Sequence, residues 1–298
     1  MPELPEVEVV RAGLEPAVTG GVVASVTVYD ERSLRRHPGP SEDFIDRLTG
    51  RTILSAERRG KFLWMPLLQT SLAGDTPEAL VVHLGMSGQV LLRDRETDDN
   101  LTRIRLELDH PQHGALRLNF VDQRIFGSMA IDDLAPTADH PLQLVPSAVA
   151  HIARDPLDAR FDDRLFFERL SRRNSGIKRA LLDQTLISGI GNIYADESLW
   201  ASRIHYEQSA SSLSRAKAKT LLHEVRLVLE KALGEGGTSF DAQYVNVNGA
   251  SGYFSHSLNA YGQQGTPCSR CGRLLERESF MNRGSHFCPF CQKLRPVV

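Results

Sequence analysis

The feature that most restricts the fold of this chain lies near its end. All four cysteines of its 298 residues fall within 268–298, as "CSRC" at 268–271 and "CPFC" at 288–291. Two Cys-x-x-Cys pairs sixteen residues apart have the spacing of a four-thiolate zinc site, in which two short chelate loops approach one tetrahedral ion. Gly272, directly after the first pair, relieves the backbone at one knuckle. Two disulfides would consume the same residues. No basic segment followed by an apolar run opens the sequence as an export signal would, so a reducing compartment is expected, and the metal is favoured. A closed four-cysteine site stabilises a fold rather than performing chemistry. One structural Zn²⁺ on Cys268, Cys271, Cys288 and Cys291 should therefore present some other residue. Arg283, in "MNRGSHFC" between the knuckles, is suited to gripping a phosphate, with a solvated turn arginine as the plainer alternative.

Upstream, the hydrophobic period changes twice. Val7, Val10, Leu14 and Val18 recur at spacings of three and four and predict a helix from Pro5 to Val18, loosened at Pro16 and ended by Gly20-Gly21. From Val22 to Met129 the runs are short and β-like: "VVASVTVYD", "RTILSAE", "FLWMPL", "ALVVHLGM", "GQVLL", "RIRLEL" and "ALRLNFV". The stretch 134–158 holds four prolines and reads as an interdomain connection. Beyond it, "RLFFERLSRR", "IKRALLDQTL", "NIYADESLWASRI" and "RAKAKTLLHEVRLVLEKAL" read as helices. The expectation is an α+β chain of several domains. An N-terminal β-sandwich with a leading helix spans 1–135, a linker 136–157, a helical module 158–234, a Gly-rich segment 235–257 and a zinc finger 258–298.

An apolar fraction of 41% with 24% charged residues is ordinary for a soluble globular chain, and the longest apolar runs are far too short to span a bilayer. The net charge of −2 hides an asymmetry. Asp94, Glu96, Asp98 and Asp99 form an acidic run in the first half. Arg164, Arg169, Arg172, Arg173, Lys178 and Arg179 crowd one stretch of the second, which suits a polyanion or a solvated helix face. In "ISGIGNIYADE", Gly189 and Gly191 surround a turn ahead of Asn192, and backbone amides at a helix start can cradle a phosphate, although simple capping explains Asn192 equally well.

The strings "PELPEVE", "RRGKF" around Lys61, "HLGMSG" at 83–88, "DQRIFG" at 122–127, "SGIGNIYADE" at 188–197, "GYF" at 252–254 and the cysteine tail occur together and in this order. The sequence closely resembles the bacterial formamidopyrimidine-DNA glycosylases, over nearly its whole length. Leu4 stands where the endonuclease VIII branch, which acts on oxidised pyrimidines, typically has glycine, so the purine-lesion branch is favoured. The resemblance implies a β-sandwich, a helix–two-turns–helix module and a zinc finger, with damaged double-stranded DNA held between the halves. It implies base excision followed by strand cleavage through β,δ-elimination. Pro2 would be the nucleophile and Glu3 the main acid/base, with Lys61 near the reacting sugar and Glu6 supporting the terminus. Asn192 and Arg283 would hold phosphates, with Lys178, Arg103 and Arg124 as further DNA contacts. Met86, Arg124 and Phe126 would fill the gap left by the flipped base. The segment 235–257 would sense the lesion. A monomer in the bacterial cytoplasm, at the nucleoid, with no membrane partner and no nucleotide cofactor, is the implied setting. Two departures stand out: Ile125 replaces a common arginine, and Arg103 replaces a common histidine. An oxidised-pyrimidine glycosylase and a noncatalytic damage-binding paralogue are the competing expectations.

The chemistry is reasonable in its own right. Once Met1 is removed, Pro2 carries a free secondary amine whose carbon adduct collapses to an iminium without needing a proton. An α-amino group titrates near roughly 7.7–8.0, and the positive end of the following helix disfavours its ammonium form further.

Overall fold

The computed structural model describes residues 2–68, 76–238, 247 and 257–296. These form two compact units. The first contains residues up to His151 together with Thr238 and Val247, and the second contains 152–237 and 257–296.

The first unit opens with helix α1, Leu4–Val18, which buries Leu4, Val7, Val10, Leu14 and Val18 along one stripe. Two antiparallel sheets follow. One has the order β1 (Val22–Val28), β6 (Thr102–His110), β7 (Gly114–Asp122), β5 (Gly88–Arg93). The other runs β2 (Glu57–Arg59), β3 (Phe62–Pro66), β4 (Glu78–His83), β8 (Ser128–Thr137), β9 (His140–Pro146). The register pairs Ile104 with Phe120 and Leu106 with Leu118 on one sheet, and Leu63 with Val82 and Leu80 with Ile131 on the other. These buried side chains share one core with the α1 stripe, so the unit is a β-sandwich with a leading helix. The acidic run in the β5–β6 connection is matched by sheet arginines: Arg93 pairs with Asp99 at 2.9 Å, and Arg117 with Asp98 at 2.7 Å.

Three local features differ from the sequence expectation. Helix α2, Ser41–Leu48, was hidden among the β-like runs, although Phe44 and Leu48 lie one turn apart on its buried face. "RTILSAE" supplies only isolated bridges at Thr52 and Ile53 before β2. The proline-rich stretch expected to link the domains from 136 is sheet in its first half. β8 reaches Thr137, and β9 pairs with it as the outer strand, where Pro141 and Pro146 remove no ladder bond that an inner strand would need.

The second unit is helical: α3 (Asp163–Ser171), α4 (Ile177–Leu182), α5 (Asn192–Ser202) and α6 (Arg215–Gly234), followed by the hairpin β10 (Glu276–Phe280) and β11 (Arg283–Phe287). Asp162 and Ser214 cap α3 and α6 by accepting the N–H of Leu165 and Lys217. Helix α5 is buried almost all round, and α6 packs on it. Of the expected lesion-sensing segment 235–257, residues 239–246 and 248–256 lie outside the described residues, and "GYF" with them. No helix among the described residues is long and apolar enough to cross a membrane.

Candidate active site and nucleic-acid interface

Pro2 and Glu3 precede α1, and both are buried, Glu3 being 2% exposed. Glu3 occupies the N-cap with extended backbone, and Pro5 sits at the first turn, where a missing N–H costs nothing. Glu6 closes the turn by accepting the Glu3 N–H at 2.8 Å. Its other oxygen accepts the backbone N–H of Thr238 at 2.7 Å and the Thr238 hydroxyl at 2.8 Å. Glu8 anchors the helix. It pairs with Arg11 and with Arg58 of β2, both at 2.8 Å. Burial pushes the Glu8 carboxyl up, but the two guanidinium groups outweigh it and hold it below its usual range. Arg58 also donates to Gly60 O at 3.0 Å, so the β2–β3 turn that carries Lys61 is fixed to α1.

At the end of β4, His83 lines a cavity of about 420 Å³ whose lining includes Arg36, Phe62 and Asp132. Burial, then the charges of Arg36, Arg35 and Lys61, depress its pKa to about 4, so the ring is neutral at physiological pH.

The three residues expected to fill the duplex are all exposed. Met86 and Phe126 are each 43% exposed, and the Arg124 guanidinium stacks over the Phe126 ring at 4.9 Å. Their two turns interlock through Gly85, whose φ is +64°. A β-carbon there would lie 2.3 Å from the Phe126 carbonyl, so only glycine fits. Asp122, wholly buried, accepts the Ser87 hydroxyl at 2.6 Å, the Arg124 N–H at 3.1 Å and the Gly127 N–H at 2.6 Å. Nothing in "DQRIFG" singled out this aspartate as the organiser of the turn. Arg103 is largely spent inside the protein: it donates to Asp122 O at 2.8 Å and lies 3.6 Å from Asp30.

In the second unit, Gln184 holds the glycine turn, donating to the Leu182 and Ile190 carbonyls and accepting the Gly189 N–H at 3.0 Å. Gly191 is the N-cap of α5, so Asn192 is the first helical residue and not the cap. Its amide donates to Gly284 O at 3.1 Å, while its buried Oδ1 has no hydrogen-bond partner. Met281 and Asn282 form the β10–β11 turn with φ of +45° and +62°, the left-handed pair a two-residue hairpin requires. Arg283 is exposed immediately after it, one residue from the carbonyl that Asn192 grips.

Lys178 differs from its expected place on the DNA-facing surface. It is fully buried, with Nζ 2.7 Å from Asp196 Oδ1 and donating to Gly284 O at 3.1 Å and Ser285 Oγ at 2.8 Å. Asp196 Oδ2 also accepts the backbone N–H of His286 at 2.9 Å and meets its ring at 3.1 Å. An ammonium taken out of water needs such a partner. The basic cluster of the sequence therefore contributes here an internal strut that fixes the Arg283 hairpin to α4 and α5.

The four cysteines are free thiols with ligand atoms all within 4.8 Å of one another. A tetrahedral ion with Zn–S bonds near 2.3 Å would set its sulfurs about 3.8 Å apart. Cys271 and Cys288 already lie 3.5 Å apart, too far for a disulfide and suitable for a shared metal. Burial raises the Cys268 thiol, but hydrogen bonds led by that of the Arg270 N–H outweigh it and bring it to about 6, whereas burial keeps the Cys288 and Cys291 thiols above their usual range. The residues fit one structural zinc.

Comparison with known proteins decides the family. Residues 1–129 match the formamidopyrimidine-DNA glycosylase N-terminal domain, 152–243 the H2TH domain of the same family, and 265–294 the zinc finger found in FPG and IleRS. The chain belongs to the formamidopyrimidine-DNA glycosylase family. The formamidopyrimidine-DNA glycosylase of Leifsonia xyli subsp. xyli is 62% identical over 302 residues, covering 99% of this chain and all of that one. Among solved structures, the Lactococcus lactis Fpg bound to DNA with an abasic site is 30% identical with a TM-score of 0.79, covering 98% of this chain and 99% of that one. The wild-type form of that Fpg bound to DNA containing a benzylated Fapy-dG is 31% identical with a TM-score of 0.80, covering 98% and 100%. As a family member the chain is a DNA glycosylase of DNA repair, and its cysteine module is the zinc finger of the family.

Proposed function

We propose that this glycosylase excises oxidised purines, 8-oxoguanine and formamidopyrimidines, from double-stranded DNA and then cleaves the abasic strand, using the Pro2 amine as nucleophile. The observation that carries this reading is the arrangement of the terminus. Pro2 and Glu3 are buried at the head of α1, Pro2 outside the helix and Glu3 at its N-cap, where Glu6 accepts the Glu3 N–H.

With Met1 removed, the Pro2 nitrogen attacks C1′ and displaces the base, which leaves with a proton. Opening of the sugar ring gives an iminium, an electron sink that acidifies the C2′ proton. Glu3 acts first on the sugar ring oxygen and then on that proton, and the 3′ and 5′ phosphates depart in successive eliminations. Lys61 sits near the reacting sugar or its phosphate. Asn192 and Arg283 hold the phosphates flanking the extruded nucleotide, and Met86, Arg124 and Phe126 occupy its place in the stack. The zinc finger stabilises the Arg283 hairpin and takes no part in bond making.

Borohydride trapping tests this on duplexes carrying 8-oxoguanine, an oxidised pyrimidine or an abasic site, with the N-terminus checked by mass spectrometry. A covalent adduct on the purine lesion, abolished when an uncleaved residue ahead of Pro2 turns its amine into an amide, is expected. A preferred adduct on the pyrimidine lesion would shift the substrate class. No adduct on any duplex, with Met1 absent and zinc bound, would leave a noncatalytic damage binder.

A further inference from the structure

The turn that carries Arg124 and Phe126 is held more tightly than a five-residue connection between strands requires. Ile125 lies in the left-handed region at φ +55°, a conformation that a β-branched residue rarely adopts. The peptides around it are turned so that three successive carbonyls, those of Ile125, Phe126 and Gly127, converge on one guanidinium. Arg35 Nη1 donates to Ile125 O and Gly127 O, both at 2.9 Å, and its Nη2 donates to Phe126 O. Arg35 follows the 3-10 turn Glu31–Leu34, about ninety residues away in sequence. On the other side, Asp122 collects the N–H groups of Arg124 and Gly127. The turn is thus clamped between a buried anion that takes its amides and a planar cation that takes its carbonyls.

We propose that Arg35 is a positioning residue for base eversion, fixing the angle at which Phe126 and Arg124 leave the sandwich; this rests on the wedge role given to those two side chains above. The fork shape of the guanidinium is essential, because one ammonium cannot reach three carbonyls in line. The charge alone is not the requirement. Preformed abasic sites have no base to evict, so their cleavage does not depend on the clamp.

Arg35→Ala and Arg35→Lys are compared with Phe126→Ala in single-turnover assays. Each is given an 8-oxoguanine duplex with 2-aminopurine beside the lesion, whose fluorescence reports unstacking, and a preformed abasic duplex. Both Arg35 variants should excise 8-oxoguanine roughly 10- to 100-fold more slowly, with the fluorescence rise slowed in step, while abasic cleavage stays within about twofold of the parent. An Arg35→Lys enzyme with parental excision would show that charge suffices and overturn the assignment. Equal losses on both substrates would also overturn it, by revealing a general structural role. If Phe126→Ala excises normally, the wedge reading falls first, and the role of Arg35 with it. If Phe126→Ala is slow and Arg35→Lys is not, only the Arg35 assignment falls.

Discussion

Helix α1 and the β10–β11 hairpin each hold in place side chains that we propose act on DNA, yet they draw rigidity from different sources. α1 lies on a continuous apolar core shared with both sheets, and hydrogen bonds to Glu6 and Glu8 set its finer position. The hairpin module has only a small apolar interior, in which Cys268, Leu275, Phe287 and Cys288 are buried. A segment this small cannot bury enough surface to order itself. A metal cluster at one end and a buried ion pair at the other take over that task. Precise placement of Arg283 is therefore a matter of charge and coordination, whereas placement of Glu3 is first a matter of packing.

Breaking the metal end should have the largest effect. Cys288→Ser, or removal of zinc by a strong chelator, should unfold the module around β10–β11 and abolish DNA binding, while the first unit keeps its cooperative melt; calorimetry and hydrogen exchange would show whether the loss is this local. Next comes Glu3→Gln, which leaves the α1 core alone and should lower base excision by roughly 10²- to 10⁴-fold with unchanged folding, measured by single-turnover kinetics. Asp196→Asn leaves the Lys178 ammonium buried without its counter-charge and should cost the second unit about 3–5 kcal/mol in denaturant unfolding. The double replacement of Lys178 and Asp196 by apolar residues should recover much of that loss.

A pH titration sharpens the contrast on the other side. The His83 ring takes up fewer protons in the folded chain than in the unfolded one between pH 4 and 6.5. Stability of the first unit should therefore fall as pH drops through that window, by about 3 kcal/mol at most, and His83→Gln should flatten the fall. The smallest effect belongs to Glu6→Gln. The core holds α1 in place, so the cost should be about 2 kcal/mol by thermal melting, with a larger proportional loss in excision.

Much of this division could be read from the residues. The cysteine spacing identified the metal module, and the three-four spacing of Val7, Val10, Leu14 and Val18 identified α1, because both patterns are local. What escaped notice depended on partners distant in sequence. Lys178 is one of a run of surface-type cations, and only Asp196, on the next helix, shows that it is internal. β9 was masked by prolines that are harmless on an outer strand. Asp122 and Arg35 organise the Phe126 turn through backbone groups, which leave no mark on side-chain pattern.

The bond between Glu6 and Thr238 joins residues 232 positions apart. A ribosome therefore finishes the sandwich strands long before it makes the residue that supplies two of the Glu6 hydrogen bonds. Val247, whose side chain would meet any β-carbon added at Gly13 of α1, arrives later still. The start of α1 is made first and completed near the last, so a nascent chain that has reached only the end of α6 lacks the Thr238 and Val247 contacts to that helix.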